Sequence, residues 1–413
     1  MRKYHVLTVV VLAALVVGGA GAALARQATT VTLMGWSSSQ AEDAALAEQI
    51  AAFEEANPDI DVEVNLVPDY DTTLQTTFAS GAPPDVFYID SLRLPDLVEA
   101  GVVDIGGDKI ENPEGIYPSL VDIFTYNDEF VCPPKDFSTL TLQYNKDMFD
   151  AAGLDYPTDD WTWDDLSAAA EALTGTNEEG QQVLGLVIGA EAARWLPFLY
   201  QAGGSVLNED WSEVTFDSEE AREAFDFLTG LAQEGFAGTA SQVDAGWPGE
   251  AFGMGRAAMT IEGNWIIQFL ADQFPDINWG AVQLPAHPDG GEATMAFTVC
   301  YGVAADSDNK DAAWQLVNFL TGEEGGQIVA EAGFGPMPPR MALAETWLAA
   351  RGEEIGQPFV NAAEVAYPWS FPVGFGDVLD TFNAGMQLAF QGQATADDVI
   401  FETAAAAEEV LAR

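Results

Sequence analysis

The stretch Phe252–Leu270 reads FGMGRAAMTIEGNWIIQFL. Ala257 to Ile261 have the small and apolar character of a short strand, Glu262 and Gly263 mark a turn, and the apolar run beyond predicts a helix with Trp265 as its second residue. A strand running straight into a helix is the repeating unit of α/β architecture. The tryptophan at the junction asks what such a large side chain does there.

The same unit recurs on both sides. VTLMGW near Val31 predicts a strand, followed by a serine loop and the helix QAEDAALAEQIAAFEEANP, whose Leu46, Ile50 and Phe53 share one face and which Pro58 stops. DIDVEVNLVP alternates Ile60, Val62, Val64 and Leu66 with polar residues, the pattern of a half-buried strand. PDVFYID and LPDLVEAG add a strand and a helix; EFVCPP, FSTLTLQYN and VLGLVIGA read as further strands. Thr162 and Asp165 form a capping-box pattern, and Asp217 is placed to cap a helix whose buried stripe is Phe225, Leu228 and Leu231. Beyond the strand FTVCYGVAA come the helices KDAAWQLVNFLTG and EEGGQIVAEAGF, and TADDVIFETAAAAEEVLAR closes the chain as a capped amphipathic helix. Alternating strands and helices predict an α/β fold with a mainly parallel sheet covered on its faces. The 413 residues suffice for two domains, and without a low-complexity linker these are expected to share the chain through several crossings.

Residues 1–25 have the form of a signal peptide: Arg2 and Lys3, an apolar run from Val6 to Val17, and Ala23-Leu24-Ala25 at the end. Export to a periplasm or the cell exterior follows; the alternative is a segment retained as an anchor. No cysteine follows the small residues, so no lipid-anchor site is predicted. Loss of Arg2 and Lys3 takes the formal charge from −52 to −54. Such a field repels nucleic acid and anionic lipid. It suits either a salty exterior or a merely solvated, soluble surface. The two cysteines, Cys132 and Cys300, are expected to bridge in an exported chain, the alternative being two separately buried thiols.

Motifs for catalysis are scarce. The histidines are His5, inside the signal segment, and His287, in the turn-like PAHPDGG without a G-x-S-x-G nearby. Zinc spacing, a phosphate-binding loop and a calcium loop are lacking in the sequence, and no cofactor is predicted. Carboxylate pairs of the kind glycosidases use could be drawn from 66 acidic residues, but any acidic chain offers them.

FEEANPDIDVEV, LQTTFASGAPPDVFYID, PPKDFSTLTLQYNKDMFDAAGL, WTWDDLSAAAEAL, YQAGG, FGMGRAAMTIEGNW and DNKDAAWQLVNFLTGEEG together resemble the solute-binding proteins of bacterial ABC importers, in the sugar-binding family related to maltose-binding protein. The resemblance implies a two-lobed periplasmic-binding-protein fold with a hinge of crossing strands and a ligand cleft between the lobes. It places residues 29–136 with 302–348 in one lobe and 140–298 with 350–413 in the other, crossing at KDFST and FTVCYG. Cys132 and Cys300 then lie close to the crossings, where a bridge would limit the hinge without closing the cleft. The implied function is capture of a neutral mono- or oligosaccharide outside the membrane and its delivery to permease subunits, by a monomer that performs no catalysis. An alternative on the same fold is a polyamine or other cation, held by acids and aromatics.

The resemblance also gives Trp265 a role. Its indole would stack on a pyranose face at the cleft wall, with Gly263 permitting the bend and Asn264 able to cap the helix; plain core is the alternative. Matching residue by residue adds Trp36, Asp90, Ser91, Asp136, Ser138, Glu191, Trp195, Trp247, Glu250, Tyr301 and Trp369 as expected ligand-binding residues, with the carboxylates accepting from sugar hydroxyls.

Overall fold

The computed structural model describes residues 28–37, 39–332 and 335–412; the signal-peptide assignment and His5 lie outside them. The elements that frame the site are, in chain order, β1 Thr29–Gly35, α1 Gln40–Ala56, β2 Ile60–Leu66, β3 Val86–Asp90, β4 Pro134–Asn145, α2 Trp163–Leu173, β5 Gln182–Val187, α3 Ala192–Gln201, α4 Glu219–Gln233, β6 Ala257–Gly263, α5 Trp265–Gln273, β7 Trp279–Val282, β8 Thr294–Val303, α6 Lys310–Leu320, α7 Glu353–Ala362, α8 Gly376–Phe390 and α9 Ala396–Leu411.

Hydrogen-bonded neighbours run β2-β1-β3-β8-β4-β6-β5, with β7 also on β4. The β1 pairings to β2 and β3 are parallel, and so is β5 with β6, as the strand–helix alternation predicts. Two long antiparallel strands join these parallel halves. The start of β4 pairs with β8, from Thr139 opposite Ala296 to Pro134 opposite Cys300. Its end pairs with β6, from Leu140 opposite Gly263 to Tyr144 opposite Met259. Likewise β8 leaves β4 and pairs with β3, Val299 meeting Asp90. At Val299/Cys300 the register shifts, leaving Lys135 as an extra residue on β4 between Pro134 and Asp136, the arrangement of a β-bulge. One continuous path thus serves two lobes, and the chain crosses between them on β4 and β8.

Two cores form. Val31, Leu33, Phe53, Val86, Phe87, Val303 and Val317 pack together in the first, which also takes in Leu184, Val187, Phe252 and Ile266 from beyond β4. Leu140, Leu142, Leu166, Leu186, Trp195, Phe225, Leu228, Met259 and Phe382 pack together in the second. Cys132 and Cys300, both fully buried, form a disulfide with Cα atoms 5.7 Å apart, beside the first crossing.

Several local expectations need correction. β2 is an edge strand, so its alternation is not matched by burial and Val64 is 37% exposed. EFVCPP is not one strand: Glu129–Phe130 forms a short hairpin partner, after which Val131 and Cys132 are buried in the connection to β4. The capping box Thr162/Asp165 does form, and the cap of the last helix is a box of Thr395 and Asp398. The cap of α4, however, is Ser218, whose Oγ accepts from the Ala221 N–H at 3.1 Å, while Asp217 pairs with Arg222 at 2.6 Å. His287 sits edge-on to Trp163, 4.8 Å between ring centres, with Glu223 at 3.2 Å.

Candidate functional site

Between the lobes lies a cleft of about 960 Å³. It is reached by Trp36, Glu42 and Asp90 from the first lobe, by Lys135, Asp136, Ser138, Phe297 and Thr298 from the crossing strands, and by Glu191, Arg194, Trp247, Glu262 and Trp265 from the second.

Lys135 opens β4 with its ammonium inside this cleft, 10% exposed. Its Nζ donates to Glu42 Oε1 at 2.6 Å and to the adjacent Asp136 carboxylate, and it lies 5.3 Å from the ring centre of Tyr88. Burial acts to lower the Lys135 pKa, but Asp136 and Glu42 outweigh it and hold the pKa well above the ordinary value. Asp136 is itself raised by burial, Lys135 offsetting part of the rise. Across the crossing, Thr298 Oγ1 donates to the Asp136 carbonyl at 2.6 Å, which fastens β8 to β4 at the cleft floor.

A second charge cluster stands on the other lobe. Glu262, at the end of β6, has a side chain only 1% exposed, and its Oε2 accepts from Arg194 Nη2 at 2.6 Å and from Trp265 Nε1 at 3.0 Å. Arg194 also reaches Glu191 at 3.1 Å, and its guanidinium lies 5.5 Å from the Trp265 ring centre. Burial pushes the Glu262 carboxyl above the usual range despite Arg194. For Arg194, Glu262 and Glu191 more than offset burial and raise its pKa. Among the described residues, Glu42 Oε2, Glu262 Oε1 and Arg194 Nε are buried at the cleft with no hydrogen-bond partner. An orphaned buried acceptor favours any ligand that brings a hydroxyl donor to it.

The turn at Trp265 differs from expectation in two details. Trp265 is the first residue of α5, and Gly263 is not in the left-handed region. A Cβ on Gly263 would stand 2.3 Å from the Trp265 ring, so glycine is needed for close approach of the indole rather than for the bend. Asn264 holds the N-cap position, but its side chain makes no cap bond; its amide donates to Gly335 O at 3.1 Å instead. Phe297 packs edge-on to Trp265 at 5.7 Å. In the first lobe Trp36 is set edge-on to Tyr70 and to Tyr88, each at 5.1 Å.

Of the twelve residues expected to bind ligand, Trp36, Asp90, Asp136, Ser138, Glu191, Trp247 and Trp265 line the cleft. The other five do not. Trp195 is fully buried against Phe382 at 4.6 Å and Phe216 at 5.4 Å; on α3 its neighbour Arg194 points to the cleft while Trp195 faces the core. Ser91 is buried and donates to Trp369 O at 2.7 Å. Tyr301 is 2% exposed beneath Lys135, edge-on to Tyr88 at 5.4 Å, and burial raises its hydroxyl pKa. Trp369 packs behind Phe297 at 5.7 Å, and the Glu250 carboxylate accepts from the Gly246 N–H at 2.6 Å.

Glu42, Lys135, Arg194, Glu262 and Phe297 were not foreseen. Lys135 and Glu262 lie inside PPKDFST and MTIEGNW, and a lysine or glutamate within a motif next to the cleft residues was a usable signal. Asp90, whose Oδ1 accepts from the Leu92 N–H at 2.9 Å, has its carboxyl pushed up to about 6 by burial, with that hydrogen bond pulling the other way.

The pattern of the family described as bacterial extracellular solute-binding protein matches residues 36–327. The multiple sugar-binding protein of Streptococcus mutans serotype c is 26% identical over 316 residues, 70% of this chain and 71% of that protein. The ABC substrate-binding protein Lmo0181 from Listeria monocytogenes, solved in complex with cycloalternan, superposes with a TM-score of 0.85 at 26% identity, covering 93% of this chain and 99% of that one. The maltose-bound MalE3 of T. maritima shares the fold, with a TM-score of 0.80 at 23% identity over 93% of this chain and all of that one, 100%.

Proposed function

The chain belongs to the bacterial extracellular solute-binding protein family, and from that premise we propose that it captures a neutral mono- or oligosaccharide outside the membrane and delivers it to the permease of an ABC importer. One observation carries the reading. Trp36 and Trp265 line one cavity from the two lobes, each near a carboxylate–cation cluster, Glu42–Lys135–Asp136 and Glu262–Arg194–Glu191. Aromatic faces suit the C–H faces of a pyranose and fixed charged groups suit its hydroxyl rim.

Lys135 and Arg194 also argue against the cationic ligand. Each of these cations already pairs with two of the cleft carboxylates, Lys135 with Glu42 and Asp136 and Arg194 with Glu191 and Glu262, so those acids are engaged before an amine arrives. Sugar-binding relatives point the same way.

Closure follows from the hinge. A ligand touching both lobes favours the closed form only by its differential affinity for it. We assign residues 29–136 with 302–348 to one lobe and 140–298 with 350–413 to the other, and the twelve-residue expectation reduces to the seven cleft-lining members. The protein acts as a monomer without cofactor, exported by residues 1–25, and returns its ligand unchanged. No helix among the described residues is long and apolar enough to cross a membrane.

Thermal unfolding and tryptophan fluorescence of the chain without residues 1–25, measured against sugars and polyamines, test this. A sugar that raises the midpoint by mass action, and is recovered intact, supports it. A response to an amine alone overturns it.

A further inference from the structure

A second cavity opens from the side of the cleft. It measures about 470 Å³ and shares Ala190, Glu191, Thr239 and Ser241 with the cleft lining, so the two adjoin at these residues. The rest of its lining comes from the C-terminal end of α8 and its cap, with Gln387, Phe390 and Gln391, and from Gln242.

The chemistry of this groove departs from that of the rest of the surface. In a chain with 66 acidic residues, Glu191 is the only acid that lines the groove among the described residues, and none of them brings a lysine or arginine to it. Three glutamines and two hydroxyl residues supply the polar contacts instead. A side-chain amide carries both donors and acceptors, as does a sugar hydroxyl, so the pair matches without a charge to desolvate. The walls are fixed. Asn383 on α8 accepts from the Ala192 N–H at 2.7 Å, tying α8 to the start of α3, and Gln242 Oε1 accepts from the Thr239 N–H at 2.7 Å, which leaves its NH2 as the donor it can offer. The main cleft alone, at about 960 Å³, already lies near the top of the ~300–1,000 Å³ range of ligand sites.

We propose that the ligand is an oligosaccharide whose chain leaves the cleft past Glu191 into this groove, where Gln387 and Gln391 bind its outer unit. The inference rests on the sugar-binding reading above and adds to it a length requirement and a site.

Isothermal titration of the chain lacking residues 1–25 with α-1,4-gluco, β-1,4-gluco, α-1,6-gluco, xylo and manno series, from monosaccharide upwards, tests it. In the series that binds, affinity is expected to keep rising beyond the disaccharide. The Gln387→Ala/Gln391→Ala variant, altered at two exposed positions, should lose roughly fivefold to 150-fold for the longest member, as for two neutral hydrogen bonds, and keep disaccharide affinity. Gln391→Trp, which fills the groove, should act in the same way. Binding that levels off at the mono- or disaccharide and ignores both variants overturns the groove assignment and leaves the sugar-binding reading standing. Absence of binding across every series overturns that reading and the groove with it.

Discussion

Replacing Arg194 by methionine keeps much of the apolar stem and removes the charge that neutralises Glu262. The Glu262 side chain is 1% exposed, its Oε2 is held at 2.6 Å by Arg194, and its Oε1 has no hydrogen-bond partner among the described residues. Among the described residues only Trp265 Nε1, at 3.0 Å, would still serve the carboxylate. Breaking one side of a buried pair costs about 3–5 kcal/mol, because the remaining charge is stranded. With an unfolding entropy of roughly 2.1 cal/mol/K per residue, cooperative unfolding of a chain this long would convert that into a fall in Tm of about 4–6 °C. The direction with pH is fixed. Burial already raises the folded-state pKa of Glu262, and losing Arg194 raises it further. A carboxyl raised in the folded state weakens stability as pH rises through its folded value and ceases to do so below its unfolded value. The variant's deficit should therefore be large at neutral pH and shrink on acidification. Arg194→Met/Glu262→Gln should recover most of the loss. Calorimetry of the three proteins across pH measures all of this. A neutral-pH loss below about 1 kcal/mol, the range of solvated surface pairs, or no relief from Glu262→Gln, would refute the claim that the cluster is dry and charged.

Other consequences can be measured alongside. Gly263→Ala puts a Cβ 2.3 Å from the Trp265 ring, so the indole must move; sugar affinity and its fluorescence response should fall while the lobes stay folded by circular dichroism. Asp90→Asn should stabilise at neutral pH, by up to about 3 kcal/mol from the ~1.4 kcal/mol per pKa unit. Wild-type stability from Asp90 is lost as pH rises from its unfolded value through about 6, and a thermal pH profile that the variant leaves unchanged would exclude this. If Asp90 accepts a ligand hydroxyl as a carboxylate, affinity should rise through the same window, as titration calorimetry at several pH values can read. Reducing Cys132–Cys300, which are 168 residues apart in sequence, should cost about 2–5 kcal/mol, seen as a lower midpoint in denaturant with reductant.

Much of the architecture was legible because its signals are short-range. Capping boxes at Thr162 and Thr395, the buried stripe Phe225, Leu228, Leu231 and the strand-turn-helix at Trp265 each depend on residues within one or two turns. Resemblance supplied the rest of the plan, including the strands that cross. It was less exact for side chains: Trp195 and Arg194 are neighbours on α3, and one residue's rotation decides which reaches the cleft and which the core. Ser91 and Tyr301 lie near the cleft in sequence terms yet face into the first lobe, for the same reason.

The sequence by itself determined the order of strands and helices, the apolar residues available for two cores and the acidic character of the surface, since caps, periodicity and composition act locally or in sum. Only the tertiary structure decided which polar groups meet. Lys135 joins Glu42 from 93 residues away and Arg194 joins Glu262 from 68, because β4 pairs with β8 at one end and β6 at the other. That register is set by packing on both faces of the sheet at once, and a shift of one residue would turn Lys135 and Glu262, the strand members of these pairs, to the opposite face.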